Sequence, residues 1–179
     1  MKKIIFILWA ATALLLLSTL PSLASDYQHS IDLKKLQFYW TVDGATLKIK
    51  IIGKTKGWVA VGFNATTQMK NANIIIGYVK KGKVKVSDEF GITNTKHKSD
   101  KKLKGKSNLK AISGMEKNGV TTLSFTIPLD SGDKYDGIIK PNGNTRVIVA
   151  TGSRDSFRFG HNFQATLDVN LNSGKYQIK

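Results

Sequence analysis

Without a single cysteine, the chain cannot form disulfides, thiolate metal centres, iron–sulfur clusters or a covalent c-type haem link. Possible metal or haem ligands reduce to histidine, methionine, carboxylates, lysine and tyrosine, and the chain holds three histidines and three methionines. His29 lies close to the start, where chain ends fray. His97 sits among lysines, which disfavours its protonation and points to exposure. His161 differs, because Ser156-Phe157-Arg158-Phe159-Gly160-His161-Asn162-Phe163 surrounds it with three phenylalanines and an arginine. An imidazole among flat apolar rings suits a haem pocket, and equally a packed structural histidine. Met69 lies in the polar run Asn64-Ala65-Thr66-Thr67-Gln68-Met69-Lys70-Asn71, where a thioether has no obvious packing role. A thioether is a soft ligand that favours reduced iron. Met115 falls in a strand-like stretch and reads as core.

The usual catalytic signatures are missing. The sequence holds no Gly-x-Ser-x-Gly elbow, no phosphate-binding glycine loop and no paired-histidine metal motif. Acidic residues are few, and none of Asp88, Glu89, Asp133 or Asp136 is marked out as a hydrolytic pair. An enzyme is not the expected reading.

The elements that must position these groups read as strands. Ala45 to Ile52 alternates, with Leu47, Ile49 and Ile51 on one side and Thr46, Lys48 and Lys50 on the other. Val120 to Ile127 repeats the pattern with Leu123, Phe125 and Ile127 inward. Period two means a strand with one wet face. Gly57 to Phe63, Ala72 to Val79 and Thr145 to Thr151 are continuous apolar runs, the mark of strands covered on both faces. Leu36 to Val42 and Lys83 to Ser87 complete at least seven strands. Asp43-Gly44, Lys81-Gly82 and Asn118-Gly119 fall where hairpins must turn. No stretch holds a helical period for three turns, so the fold class is all-β, a two-sheet antiparallel β-sandwich.

The first residues have the three parts of a signal peptide: Lys2 and Lys3, the apolar run Ile4 to Leu17, and Ser22-Leu23-Ala24 as a cleavage site. Residues 1–24 are thus expected to direct export, to the periplasm or beyond the cell. Residues 25–179 form one domain with no further membrane span. The signal carries two of the 28 basic residues and none of the 12 acidic ones, which leaves the mature part at +14. Export and the lack of a binding signature argue against nucleic acid, so this charge points to an acidic partner or to solvating lysines. Seven lysines crowd Thr95 to Lys110, a candidate docking loop.

In order, Trp40-x-Val42, Gly57-Trp58-Val59-Ala60-Val61-Gly62-Phe63-Asn64, Met69 and Ala72-Asn73-Ile74-Ile75-Ile76-Gly77 resemble the DOMON domain. Val86-Ser87-Asp88, Asp100, the Thr121–Leu129 strand with Pro128, Gly132-Asp133-x-x-Asp136 and His161 agree with it. The resemblance spans about residues 36–171 and implies an immunoglobulin-like sandwich. Some members, such as the cytochrome domain of cellobiose dehydrogenase, hold haem b non-covalently between a methionine and a histidine. Those positions match Met69 and His161. The implied slot lies between loops at one end of the sandwich, lined by Trp58, Phe63, Phe157, Phe159 and Phe163, with Arg154, Arg158 or a lysine for the propionates. The implied activity is single-electron transfer with a separate redox partner protein. Other members bind sugars or other small ligands, for which Tyr39, Trp40, Asn73 and Tyr78 offer themselves.

Overall fold

The computed structural model describes residues 26–179; the expected signal, residues 1–24, lies outside the described residues. Twelve strands follow in order: β1 (His29–Leu33), β2 (Leu36–Asp43), β3 (Thr46–Gly53), β4 (Val59–Phe63), β5 (Asn73–Lys80), β6 (Lys83–Gly91), β7 (His97–Ser99), β8 (Lys110–Lys117), β9 (Val120–Pro128), β10 (Thr145–Thr151), β11 (Phe163–Val169) and β12 (Tyr176–Ile178). One short 3-10 turn, Asp100–Leu103, follows β7. A five-stranded sheet in the order β1-β2-β3-β9-β8 faces a seven-stranded sheet in the order β12-β11-β10-β4-β5-β6-β7. Neighbouring strands are antiparallel, so the expected sandwich is the fold.

The turns follow the residues. Lys81 and Gly82 take φ of +51° and +74°, and Asn118 and Gly119 take +53° and +77°. Two consecutive left-handed residues match the right-handed twist of the strands they join. Strands β3 and β9 alternate buried and open positions, so their sheet has one wet face. Strand β4 is buried at every position and β5 at seven of its eight, as expected of strands covered twice.

The core lies between the sheets. Leu47, Ile49, Leu123, Phe125, Ile127 and Val147 are all buried there, as their spacing predicts. Phe38 stacks on Trp40 at 4.9 Å, and Trp40 donates its indole N–H to the Leu171 carbonyl at 2.8 Å. Two expectations are corrected. Met115 is 56 % exposed, because β8 is an edge strand and that side chain faces solvent. His29 is ordered within β1, its ring 5.3 Å from Trp40 and its Nε2 3.0 Å from the Asn172 carbonyl. Trp40, Asn73 and Tyr78 are buried and offer no sugar-binding face, while Tyr39 packs with Tyr27 and Lys50.

Among the described residues, no helix is long and apolar enough to cross a membrane.

Candidate functional site

The second cover on β4 and β5 is a pocket. It lies on the outer face of the seven-stranded sheet, with a volume of about 620 Å³, within the roughly 300–1,000 Å³ of small-molecule and cofactor sites. Strand alternation sets its floor. Val59, Val61 and Phe63 of β4 point into the core, so Ala60 and Gly62 point outward. Cross-strand partners continue the floor with Ile74 and Ile76 from β5 and Ile148 and Ala150 from β10. A Cβ on Gly62 would lie 2.8 Å from Ile148 Cγ1 and 3.1 Å from Ile74 Cγ1, so the two isoleucines close over the glycine. Gln164 and Thr166 of β11 extend the lining.

Two loops form the walls, and they arrive from opposite ends of the strands. Phe63, where β4 ends, pairs with Val147, whereas Thr151, where β10 ends, pairs with Val59. The loop after β4 and the loop after β10 therefore leave at opposite ends and fold back over one face. Met69 comes from the first loop and His161 from the second, and both line the same pocket. This corrects the expectation that the two loops meet at one end of the sandwich. The pocket that holds both residues lies on the outer face of the sheet.

Backbone geometry holds the Met69 loop. Asn64, Gln68 and Asn71 take φ of +62°, +51° and +63°, a region that asparagine tolerates better than most residues. The Met69 amide donates to the Asn94 carbonyl at 3.3 Å, and the Met69 carbonyl accepts from Ala72 at 3.1 Å. Gly91 passes so close that a Cβ there would sit 1.6 Å from the Met69 carbonyl oxygen. The half-buried Met69 side chain packs on Ala65, Ala72 and Ile74.

Trp58 holds the other loop. Its indole lies against Gly152, where any Cβ would come within 2.1 Å of the ring, and its Nε1 donates to the Phe159 carbonyl at 3.2 Å. Thr151 and Asn162 close the loop at its base through an Oγ1–Oδ1 hydrogen bond of 2.8 Å and an amide–carbonyl bond of 2.8 Å. Phe157 packs edge-on to Tyr78 at 5.0 Å. Arg154 sits 4.2 Å over the Phe159 ring, a cation–π contact. His161, Arg158 and Phe159 are exposed on the pocket side, with Phe159 at 46 %.

Of the residues singled out in the sequence, Trp58, Met69, Phe157, Arg158, Phe159 and His161 line the pocket. Phe63 does not. It is fully buried between the sheets, 6.5 Å from Phe38, because its place in the β4 alternation turns it inward. Phe163 likewise packs against the core.

His97 is a residue whose sequence context misleads. Its neighbours Lys96 and Lys98 are exposed, yet His97 is half-buried and lines the pocket. Its Nδ1–H donates to Glu89 Oε2. Burial works to raise the Glu89 carboxyl, but the hydrogen bond and charge of His97 outweigh it and hold the group below its ordinary value. The partner lies on a different strand, which no local spacing reveals.

The described residues thus form a two-sheet antiparallel β-sandwich, a broad class of β domains, with an apolar pocket walled by thioether and imidazole groups. Within that class, residues 32–152 match the DOMON domain family, and the chain belongs to it. In overall structure it is similar to the cytochrome b domain of pyranose dehydrogenase from Coprinopsis cinerea. The TM-score is 0.53 at 12 % identity, over 73 % of each chain. It is also similar to the cytochrome domain of cellobiose dehydrogenase from Myriococcum thermophilum. That TM-score is 0.48 at 12 % identity, over 70 % of this chain and 68 % of the other.

Proposed function

We propose that this protein is an exported b-type haem domain that carries single electrons, with Met69 and His161 as the axial ligands. The observation that carries the reading is the convergence of these two side chains, 92 positions apart, on one pocket from opposite ends of the strands. A flat ring ligated on both faces needs donors that approach from two sides. The donor chemistry also fits: one thioether, one imidazole, an apolar floor of Ala60, Gly62, Ile74, Ile76, Ile148 and Ala150, and aromatic walls from Trp58, Phe157 and Phe159. Bound haem would supply reversible one-electron storage.

The chain's own residues set how that store is used. Met69 and His161 would hold the haem between them, and the chemistry it would supply there is electron transfer. Arg158 lies on the pocket lining, where a guanidinium can pair with a carboxylate side group. Thioether ligation by Met69 favours the reduced state. Residues 1–24 direct the chain out of the cytoplasm. The seven exposed lysines of Thr95–Lys110 then favour an acidic redox partner.

The test is spectroscopic. Protein purified after expression with haem should show a sharp low-spin Soret band. His161→Ala should lose most of the haem, and Met69→His should keep it at a lower potential. A low-spin spectrum unchanged in His161→Ala would overturn the assignment and make His97 the next ligand to examine. Protein that takes up no haem at all would leave the pocket to another small ligand.

A further inference from the structure

A second cluster of ligating groups lies outside the pocket, and the electron-transfer reading does not use it. Asp88 of β6, Asp100 at the start of the 3-10 turn and Asp136 in the loop before β10 come from three separated segments. One carboxylate oxygen from each lies within 4.8 Å of the others. Asp100 is completely buried, and Asp88 and Asp136 are each 5 % exposed.

Asn108 partners one side of two of them. Its amide donates to Asp88 Oδ2 at 3.1 Å and its side chain donates to Asp136 Oδ2 at 2.8 Å. Ser131 also donates to Asp136 Oδ2. The remaining oxygens, Asp88 Oδ1, Asp136 Oδ1 and both of Asp100, are buried and accept no hydrogen bond. Among the described residues, no lysine, arginine or histidine is ion-paired with any of the three. Orphaned buried acceptors are rare in folded proteins, and buried carboxylates without a counter-charge rarer still.

We propose that Asp88, Asp100 and Asp136 bind a calcium ion as a structural site, distinct from the pocket. Oxygens within 4.8 Å of one another can share an ion that takes oxygen ligands at about 2.3–2.6 Å. Calcium accepts a cage of protein oxygens, whereas magnesium gives up its waters reluctantly. Gly105 packs closely beside Asp100: a Cβ there would lie 2.7 Å from the Tyr135 ring, 3.0 Å from Asp133 Oδ2 and 3.3 Å from Asp100 Cβ. Without a cation the cluster is costly to ionise.

The ion would tie the 3-10 turn and the loop before β10 to β6. Asp88 and Glu89 are successive residues of β6, so one side chain would hold the ion while the next orients His97.

The experiment follows thermal unfolding of the purified protein after chelator treatment, with calcium or magnesium added back. Calorimetric titration with calcium chloride runs in parallel. Calcium at a hundred times its Kd should raise the midpoint by roughly 5–10 °C, with a smaller response to magnesium. Asp100→Asn should abolish the calcium response. No calcium heat and no midpoint shift in the wild-type protein would overturn the proposal, and the cluster would then be carboxyls sharing protons. An equal response to magnesium would overturn the assignment to calcium. Neither readout depends on haem, so failure here is separable from failure of the pocket assignment.

Discussion

The two faces of the seven-stranded sheet are both covered but are organised differently. The inner face meets another sheet, and large side chains such as Phe38, Trp40 and Phe63 are wholly enclosed there. The outer face meets only loops. Its floor includes Ala60, Gly62 and Ala150, and its covering residues Phe159, Arg158 and His161 remain exposed. One face is filled by the protein's own side chains, and the other is left concave. The difference teaches that this fold's stability and its ligand site are separable, because strands that serve both do so with alternate residues.

The comparison breaks most easily at Phe63. Phe63→Ala removes a fully buried ring from the inner face and should cost about 4 kcal/mol in denaturant unfolding. A loss under about 1 kcal/mol would mean that the inner face is not the core. Next comes Gly91→Ala, whose Cβ would collide with the Met69 carbonyl oxygen at 1.6 Å. The loop must move, at about 3 kcal/mol, and haem occupancy should fall with it. Comparable stability and occupancy in this variant would show that the Met69 loop is not held as described.

Trp58→Phe is the finer probe. It removes the hydrogen bond to the Phe159 carbonyl, at about 1 kcal/mol, and frees the loop that carries His161. Haem should dissociate faster, by stopped-flow transfer to an apo-globin, with little change in the unfolding midpoint. The smallest effect belongs to β8. Met115→Gln lies on an exposed edge and should change stability by no more than about 0.5 kcal/mol. A larger loss would make Met115 part of a contact surface.

Much of the fold was readable because period-two alternation and paired left-handed turn residues are local signals. Leu47, Ile49 and Ile51 alternate against lysine and threonine, and Asn118-Gly119 announces its hairpin. Strand β11 was legible by the same rule, since Phe163, Ala165, Leu167 and Val169 alternate with Gln164, Thr166 and Asp168, whereas β1 and β12 are short. The proposed pairing of Met69 with His161 comes from the family resemblance, whereas their approach from opposite ends of the strands does not. The continuous apolar runs of β4 and β5 did carry a usable hint. In a two-layer sandwich each sheet has an outer face, so a strand buried on both sides must be covered by something else. Phe63 was misassigned for a related reason: its position in the β4 alternation, which shares the face of Val59 and Val61, outranks its closeness in sequence to Met69. His97 and the tri-aspartate cluster depend on contacts between distant segments, which spacing along one chain cannot report.

The register of the four central strands has a genetic consequence. In β4, β5, β10 and β11, odd-numbered positions such as Val61, Phe63, Ile75, Val147, Val149, Leu167 and Val169 all face the core. Even-numbered positions such as Ala60, Gly62, Ile74, Ile76, Ile148, Ala150, Gln164 and Thr166 all face the pocket. Mutational tolerance along these strands should therefore sort by the parity of the residue number. A lineage can drift at the even positions toward a new ligand while the odd positions keep the domain folded, with no trade-off imposed at any single codon.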